Sequence, residues 1–267
     1  MNQTSFKNAK NYFAVYRSFI NNSASSAMSF RLNFFLFILI DLSFLMVTLG
    51  TTDFIFNHIS SIGNWNRDQM LFFITFVILV DWAHMFFLSE NFWELSILIR
   101  TGQVDFIILR PLSPLFTLFF RHVRFACIFN CIPILSVLFY FGSRLHLALW
   151  QWPLVFFLAF LSLILMGLIE ITTAMAIFWI QEGMGINFLR IQMQNISRWP
   201  DFIYKSFWRK IFIFFVPLLL IGSAPIDIIY NKNYKALLPM IAAIIILSFF
   251  VQFILARALR QYESSSS

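Results

Sequence analysis

Asp41, Asp81, His84 and Glu170 are ionisable residues set inside long apolar runs. A charge in hydrocarbon is costly, so each of the four is expected to face protein or water rather than lipid. Asp81 and His84 lie three residues apart on one face of a helix, where they can hydrogen-bond each other or border a polar path. Glu170 follows Gly167 and precedes Thr172 and Thr173, a composition that permits a close helix neighbour. Three roles fit these groups: polar contacts between helices, the lining of a substrate route, or proton transfer in an intramembrane enzyme.

The enzyme role finds no support in motifs. HExxH, GxSxG and CxxC do not occur, and His58, His84, His122 and His146 fall at different expected depths. GxxxxGK[ST] is missing too, so the chain does not hold a nucleotide in that manner by itself. No catalytic set and no metal set emerges. Cys127 and Cys131 sit four apart in an apolar run with no third ligand near, and read as packing residues.

The elements that must position these groups follow from composition. Of 267 residues, 60% are hydrophobic and only 12% charged, and the mean hydropathy is +0.79. Polar residues are too few to cover a soluble globule of this size, so lipid must solvate much of the surface. Continuous apolar runs, Leu71 to Val80 for example, exclude the alternating strands of a membrane barrel. Apolar runs long enough to cross a bilayer lie at about 34–56, 69–90, 117–141, 153–180, 209–229 and 237–258. The expectation is an all-α, polytopic membrane protein with six transmembrane helices.

Residues 1–33 form a polar, basic N-terminus without a cleavage site. In it Tyr12, Phe13, Tyr16, Phe19 and Ile20 recur at helical spacing, which predicts an amphipathic helix in the membrane interface. Residues 34–259 make the transmembrane domain and 260–267 a disordered tail. Fifteen of nineteen lysines and arginines, among them Arg100, Arg110, Arg190, Arg198, Lys205, Arg209 and Lys210, fall on one side of these spans. The other side holds Arg67, Arg144, Lys232 and Lys235. The basic side is expected to be cytoplasmic, with both termini there. The net charge of +7 thus reads as topology, and no nucleic-acid motif is present. Arg121 and Arg124 are expected to snorkel to headgroups, and Pro133 to kink the third span near Phe129, with Asn130 helping to satisfy the gap. Pro217, Gly222 and Pro225 should break the fifth span, bending its outer end around 223–229. Trp65, Trp150 and Trp152 mark outer edges and Trp93, Trp199 and Trp208 inner ones.

Between the second and third spans, residues 92–115 are too polar to stay buried and too patterned for an idle linker. Gly102 suits a helix stop, and Pro111 and Pro114 stiffen the exit. The stretch RTGQVDFIILRPLSPLF, residues 100–116, resembles the membrane subunits of ATP-binding-cassette transporters of the type-2 exporter family. Residues 178–225, with Trp199-Pro200 and prolines 217 and 225, are similar to the same family. The resemblance implies a permease half in a bacterial inner membrane, paired with a second permease, identical or related, and with two cytoplasmic ATPase subunits. ATP and Mg would sit on those partners, and this chain would carry no cofactor. It also implies that Glu94, Arg100, Gly102, Asp105, Arg110, Pro111 and Pro114 belong to a coupling helix that contacts the ATPase or braces the loop.

Overall fold

The computed structural model describes residues 3–181 and 183–262, with side chains from Tyr12 onward. Residues 263–267, most of the tail expected to be disordered, and the side chains of Lys7 and Lys10 lie outside the described residues. Every regular element described is a helix: α1 (Gln3–Ser29), α2 (Arg31–Phe56), α3 (Arg67–Arg100), α4 (Val104–Ile108), α5 (Pro114–Phe119), α6 (Phe125–Arg144), α7 (Leu149–Ile180), α8 (Gly183–Ser197), α9 (Ser206–Phe214), α10 (Leu219–Asn231) and α11 (Tyr234–Gln261). Helices α2, α3, α6, α7 and α11 are long and apolar enough to cross a membrane, and α9 with α10 passes the same test as a pair bent by 96°. The chain is an all-α polytopic membrane protein.

Helix α3 is the axis of the molecule. Asn66 and Gln69 close a capping box at its start, each side chain accepting the other's backbone N–H at 2.9 Å. Met70 to Val80 are then buried on every face, as a helix apolar all round must be when others surround it. Helices α6, α7 and α10 pack on that stretch. By contrast α2 buries only Leu45 and Thr52, and α11 only Met240, Val251 and Ala258. Their apolar outer faces are surfaces that lipid can solvate.

Two boundaries differ from the sequence expectation. Helix α3 does not end near residue 90 but runs to Arg100, through a π turn at Met85–Ser89. The third span starts at Phe125 rather than 117, as a 3-10 stretch that becomes α-helical at Cys131. Pro133 then sits in the first turn of that α-helical stretch, where a missing N–H costs nothing. Residues 121–124 are unwound because α3 offers other partners. The π turn releases the carbonyl of Phe86, which accepts from Arg124 N at 3.1 Å. Asn91 accepts from His122 N and donates to His122 O, both at 2.8 Å. Val123 N donates to Ser23 Oγ of α1 at 3.2 Å. Irregular backbone inside a membrane protein requires such satisfaction.

The larger difference concerns residues 183–231. Gly183 packs against Ser96, at the end of α3 that leads into α4. Fifteen helical residues later the chain emerges at the opposite end: Phe202 lies over Gly63 and edge-on to Trp65 at 5.0 Å, and both belong to the α2–α3 loop. Tyr230, at the far end of α10, also meets Trp65 and donates to Gln69 O at 2.7 Å. Residues 183–200 therefore cross the molecule, while α9 and α10 enter and leave at one end as a re-entrant hairpin. The fifth span expected at 209–229 is not a crossing. Its bend falls at 215–218, around Pro217, and 223–229 is regular helix with Pro225 inside. Lys205, Arg209, Lys210, Trp199 and Trp208 move with the hairpin to the end that carries Trp65. The described ends of the chain share the other end: Tyr12 accepts from Ser113 N at 2.9 Å, and Tyr262 meets Phe178 edge-on at 6.2 Å.

The entry into α8 depends on a missing side chain. A Cβ at Gly183 would fall 2.2 Å from Ser96 Cβ. Gly183→Ala is expected to cost about 1–3 kcal/mol by overpacking, and Ser96→Gly in the same chain should restore most of it. Thermal unfolding of the purified single and double variants in detergent checks this; an unchanged midpoint in the single variant contradicts the packing.

Candidate functional site

Two apolar cores are stacked along the molecule. One contains Met70–Val80 of α3 and Val155–Ile169 of α7; the other contains Leu88–Ile99 of α3 and Ile171–Phe178 of α7. Between them lies a polar layer. Its members are Asp81 and His84 from α3, Glu170 from α7, and Asn187, Arg190, Gln194 and Arg198 from α8 and its exit.

Glu170 is the hub of the layer. Its Oε2 accepts from Arg190 Nη1 and lies 2.9 Å from His84 Nε2, and its Oε1 accepts from Gln194 Nε2. Gln194 also reaches His84 Nδ1 at 3.5 Å. Arg190 is 2% exposed. Its Nε donates to Asn187 Oδ1 at 3.3 Å, and its guanidinium lies 4.0 Å from the centre of the Phe92 ring. Asn187 in turn donates to Phe92 O at 3.4 Å. The opposite charges of Glu170 and Arg190 thus meet directly, with Gln194 and Asn187 supplying further hydrogen bonds, the condition under which a buried ion pair is tolerated. Asp81 and His84, placed on one helix face by their spacing, take separate hydrogen-bond partners rather than each other. Asp81 Oδ2 accepts from Arg198 Nε at 2.8 Å, and Arg198 Nη1 donates to Asn195 Oδ1 at 2.9 Å.

Asp41 on α2 makes a second, separate contact. It accepts from Arg124 Nη2 at 3.3 Å and from Asn130 Nδ2 at 3.1 Å. Arg124, expected to snorkel, is instead held inward by this carboxylate and by the ring of Phe37, 4.4 Å from its guanidinium. Asn130 serves Asp41, not a gap in the helix ladder. Among the described residues, no group of three or more His, Cys, Asp or Glu side chains is placed to hold a metal ion.

At the end of α3 the chain stops in a Schellman turn. Gly102, at φ 70°, donates to Ile99 O at 3.3 Å, and Gln103 N donates to Leu98 O at 3.0 Å. Val104 and Ile107 of α4 then insert into the second apolar core, which leaves Phe106 (67% exposed) and Leu109 (81%) on the outside. Arg100, Arg110 and Pro111 are exposed beside them. Asp105 lies near Tyr262; burial, and secondly that carboxylate, push the Tyr262 hydroxyl above the usual phenol range. Pro114 opens α5 at its first position. Glu94 faces sideways, within 2.5 Å of His122 Nε2, and braces the unwound segment. Tyr16 and Phe19 of α1 pack on Phe116 of α5, and burial raises the Tyr16 hydroxyl pKa.

Arg190, Gln194, Arg198 and Asn187 were not singled out by sequence, yet a signal exists. They recur at i, i+3, i+7 and i+11 on one helix face, while Met184, Phe188 and Leu189 occupy the other. A helix whose polar stripe turns inward and whose apolar face turns out is built for a membrane interior.

The body is a polytopic helical membrane domain with a buried ionic layer and a helical projection at one end. The family model of the ABC-2 family transporter protein matches residues 37–266, and the chain belongs to that family. Membership makes it a transporter permease component and implies partnership with an ABC ATPase subunit. No curated protein and no solved structure matches the chain.

Proposed function

We propose that this chain is the permease half of an ATP-driven exporter in a bacterial inner membrane, partnered by a second permease, identical or homologous, and by two cytoplasmic ABC ATPases. The observation that supports it best is the continuity of α3. One helix of 34 residues, about 50 Å long, carries both the exposed tip beyond Arg100 and the buried Asp81 and His84. The Schellman turn and the anchors Val104 and Ile107 fix the tip to that rod. Phe106 and Leu109, flanked by Arg100 and Arg110, form an apolar knob with a basic rim suited to a groove on the ATPase. A displacement imposed there by ATP binding reaches the ionic layer through one rigid element, and the halves rock to expose a path across the membrane.

This reading puts the tip and both termini in the cytoplasm. Nine lysines and arginines lie at the tip end and seven at the other once Lys205, Arg209 and Lys210 are moved and Arg124, Arg190 and Arg198 are counted as internal. The bias keeps its direction. An intramembrane enzyme is disfavoured because His84 and Glu170 are enclosed and spend their polar atoms on each other, Arg190 and Gln194.

Tagged full-length chain taken from its native membrane is expected to retain an ABC ATPase. Arg100→Glu with Arg110→Glu should lower the amount retained by about tenfold, the scale on which reversed interface charges act. Recovery of no ATPase with the unaltered chain overturns the proposal.

A further inference from the structure

A groove of about 470 Å³ runs along α7 on the side of α1 and α5. Phe160 to Ile171 of α7 make one wall; Tyr16 of α1, Leu115 and Phe116 of α5 and the following Phe120 make the other. A missing side chain deepens the floor, where a Cβ at Gly167 would come 2.9 Å from Leu88 Cδ1. Apart from the Tyr16 hydroxyl, every side chain on the lining is hydrocarbon, so the groove offers water no partners. The eleven steps from Phe160 to Ile171 rise about 16 Å, the depth of one leaflet in a hydrocarbon core of roughly 30 Å. Two cations stand at the end of the groove that α1 and α5 border. Arg17 adjoins Tyr16 and Arg121 adjoins Phe120 in the chain, each about 3.8 Å away between Cα atoms. Neither guanidinium has a hydrogen-bond or ion-pair partner among the described residues; Arg121 lies near Glu94, but that carboxylate is taken by His122 Nε2.

We infer that the groove holds one acyl chain of an anionic phospholipid from the leaflet at the tip end, with the phosphate of that lipid at Arg17 and Arg121. A guanidinium makes paired, charge-assisted hydrogen bonds to phosphate oxygens, and the hydrocarbon walls take the chain. A fatty amine meets two like charges at the mouth, and a zwitterionic lipid brings an ammonium that offsets its own phosphate. A soluble phosphate gains the arginines but leaves the groove uncovered. Charged rim and apolar wall therefore select together for a molecule that has both parts. So seated, the lipid joins α1, α5 and α7, and its chain lies against Gly167, about one turn before Glu170 of the ionic layer. The binding does not depend on the permease reading.

The test uses the full chain in detergent micelles and a phosphatidylglycerol with a photoactivatable diazirine midway along one acyl chain, the adducts being mapped by mass spectrometry. Adducts are expected within 160–171 and 115–120, saturating as lipid is added. Unlabelled phosphatidylglycerol should displace the probe at a concentration about tenfold lower than phosphatidylcholine, the scale of two basic side chains at an anionic headgroup, and glycerol phosphate should not displace it. Arg17→Gln with Arg121→Gln should remove that preference. Ile164→Trp, on the half-buried groove wall, should abolish saturable labelling. Equal displacement by phosphatidylcholine, displacement by glycerol phosphate, or a preference kept by the double arginine variant overturns the headgroup site. Labelling that spreads without saturation over the outer faces of α2 and α11, or full saturable labelling of the Ile164→Trp chain, overturns the groove. Adducts missing from both groove segments, as when a second copy of the chain covers them, do the same.

Discussion

Arg190→Met should unfold much of the protein under conditions where the unaltered chain is stable. The substitution nearly preserves volume but removes the countercharge of Glu170 in a layer closed to water. Breaking a buried pair by removing one partner costs about 3–5 kcal/mol, which for a chain of this length corresponds to a fall of about 10 °C or more in thermal midpoint. The double variant Glu170→Gln/Arg190→Met removes both charges and keeps an amide for His84 and Gln194, so it should recover most of the loss. A midpoint within about 2 °C of the unaltered chain for the single variant would mean that the layer is not ionic. Arg190→Lys should fall between the two: an ammonium restores the charge but cannot reach Glu170 and Asn187 together, nor lie flat on Phe92 as a guanidinium does.

Membrane class, helical content and most spans were legible because they depend on local runs of apolar residues, which lipid selects directly. The Gly102 stop was legible for a similar reason: a positive φ after a helix is a local demand. What was hidden depends on partners far away in sequence. Helix α3 continues past residue 90 because α4, α5, α7 and α11 cover Phe92, Leu95 and Leu98, which no single-span window detects. The unwound stretch at 121–124 exists because Asn91 and the Phe86 carbonyl take its hydrogen bonds. Residues 183–200 were misplaced for the strongest reason. Hydropathy counts Arg190, Gln194 and Arg198 against a crossing, whereas in three dimensions Glu170 and Asp81 neutralise the arginines. Asp41, Asp81, His84 and Glu170, expected to face protein or water, each have protein partners that were out of reach of the sequence: the Glu170–Arg190 pair closes over twenty residues and the Asp81–Arg198 pair over 117.

The crossing by 183–200 makes an all-or-none prediction. In a chain with Cys127→Ala and Cys131→Ala, single cysteines at Asn64, Lys205 and Arg110 occupy exposed positions outside the apolar runs. A membrane-impermeant maleimide applied to one face of sealed vesicles should label the Asn64 and Lys205 variants together, and the Arg110 variant only when the vesicles are opened or inverted. The result does not depend on which face is cytoplasmic, since Lys205 is compared with two internal references. Helical hydropathy alone gives the opposite pairing, because it leaves 181–208 as a loop on the side of Arg110. Labelling of Lys205 with Arg110 would return α9 and α10 to a single span and leave Arg190 at a surface. Labelling with Asn64 would require Arg190 and Arg198 to lie inside the membrane, where charges of that cost persist only when paired. The accessibility of one exposed lysine position therefore also tests why Glu170 and Asp81 are acidic.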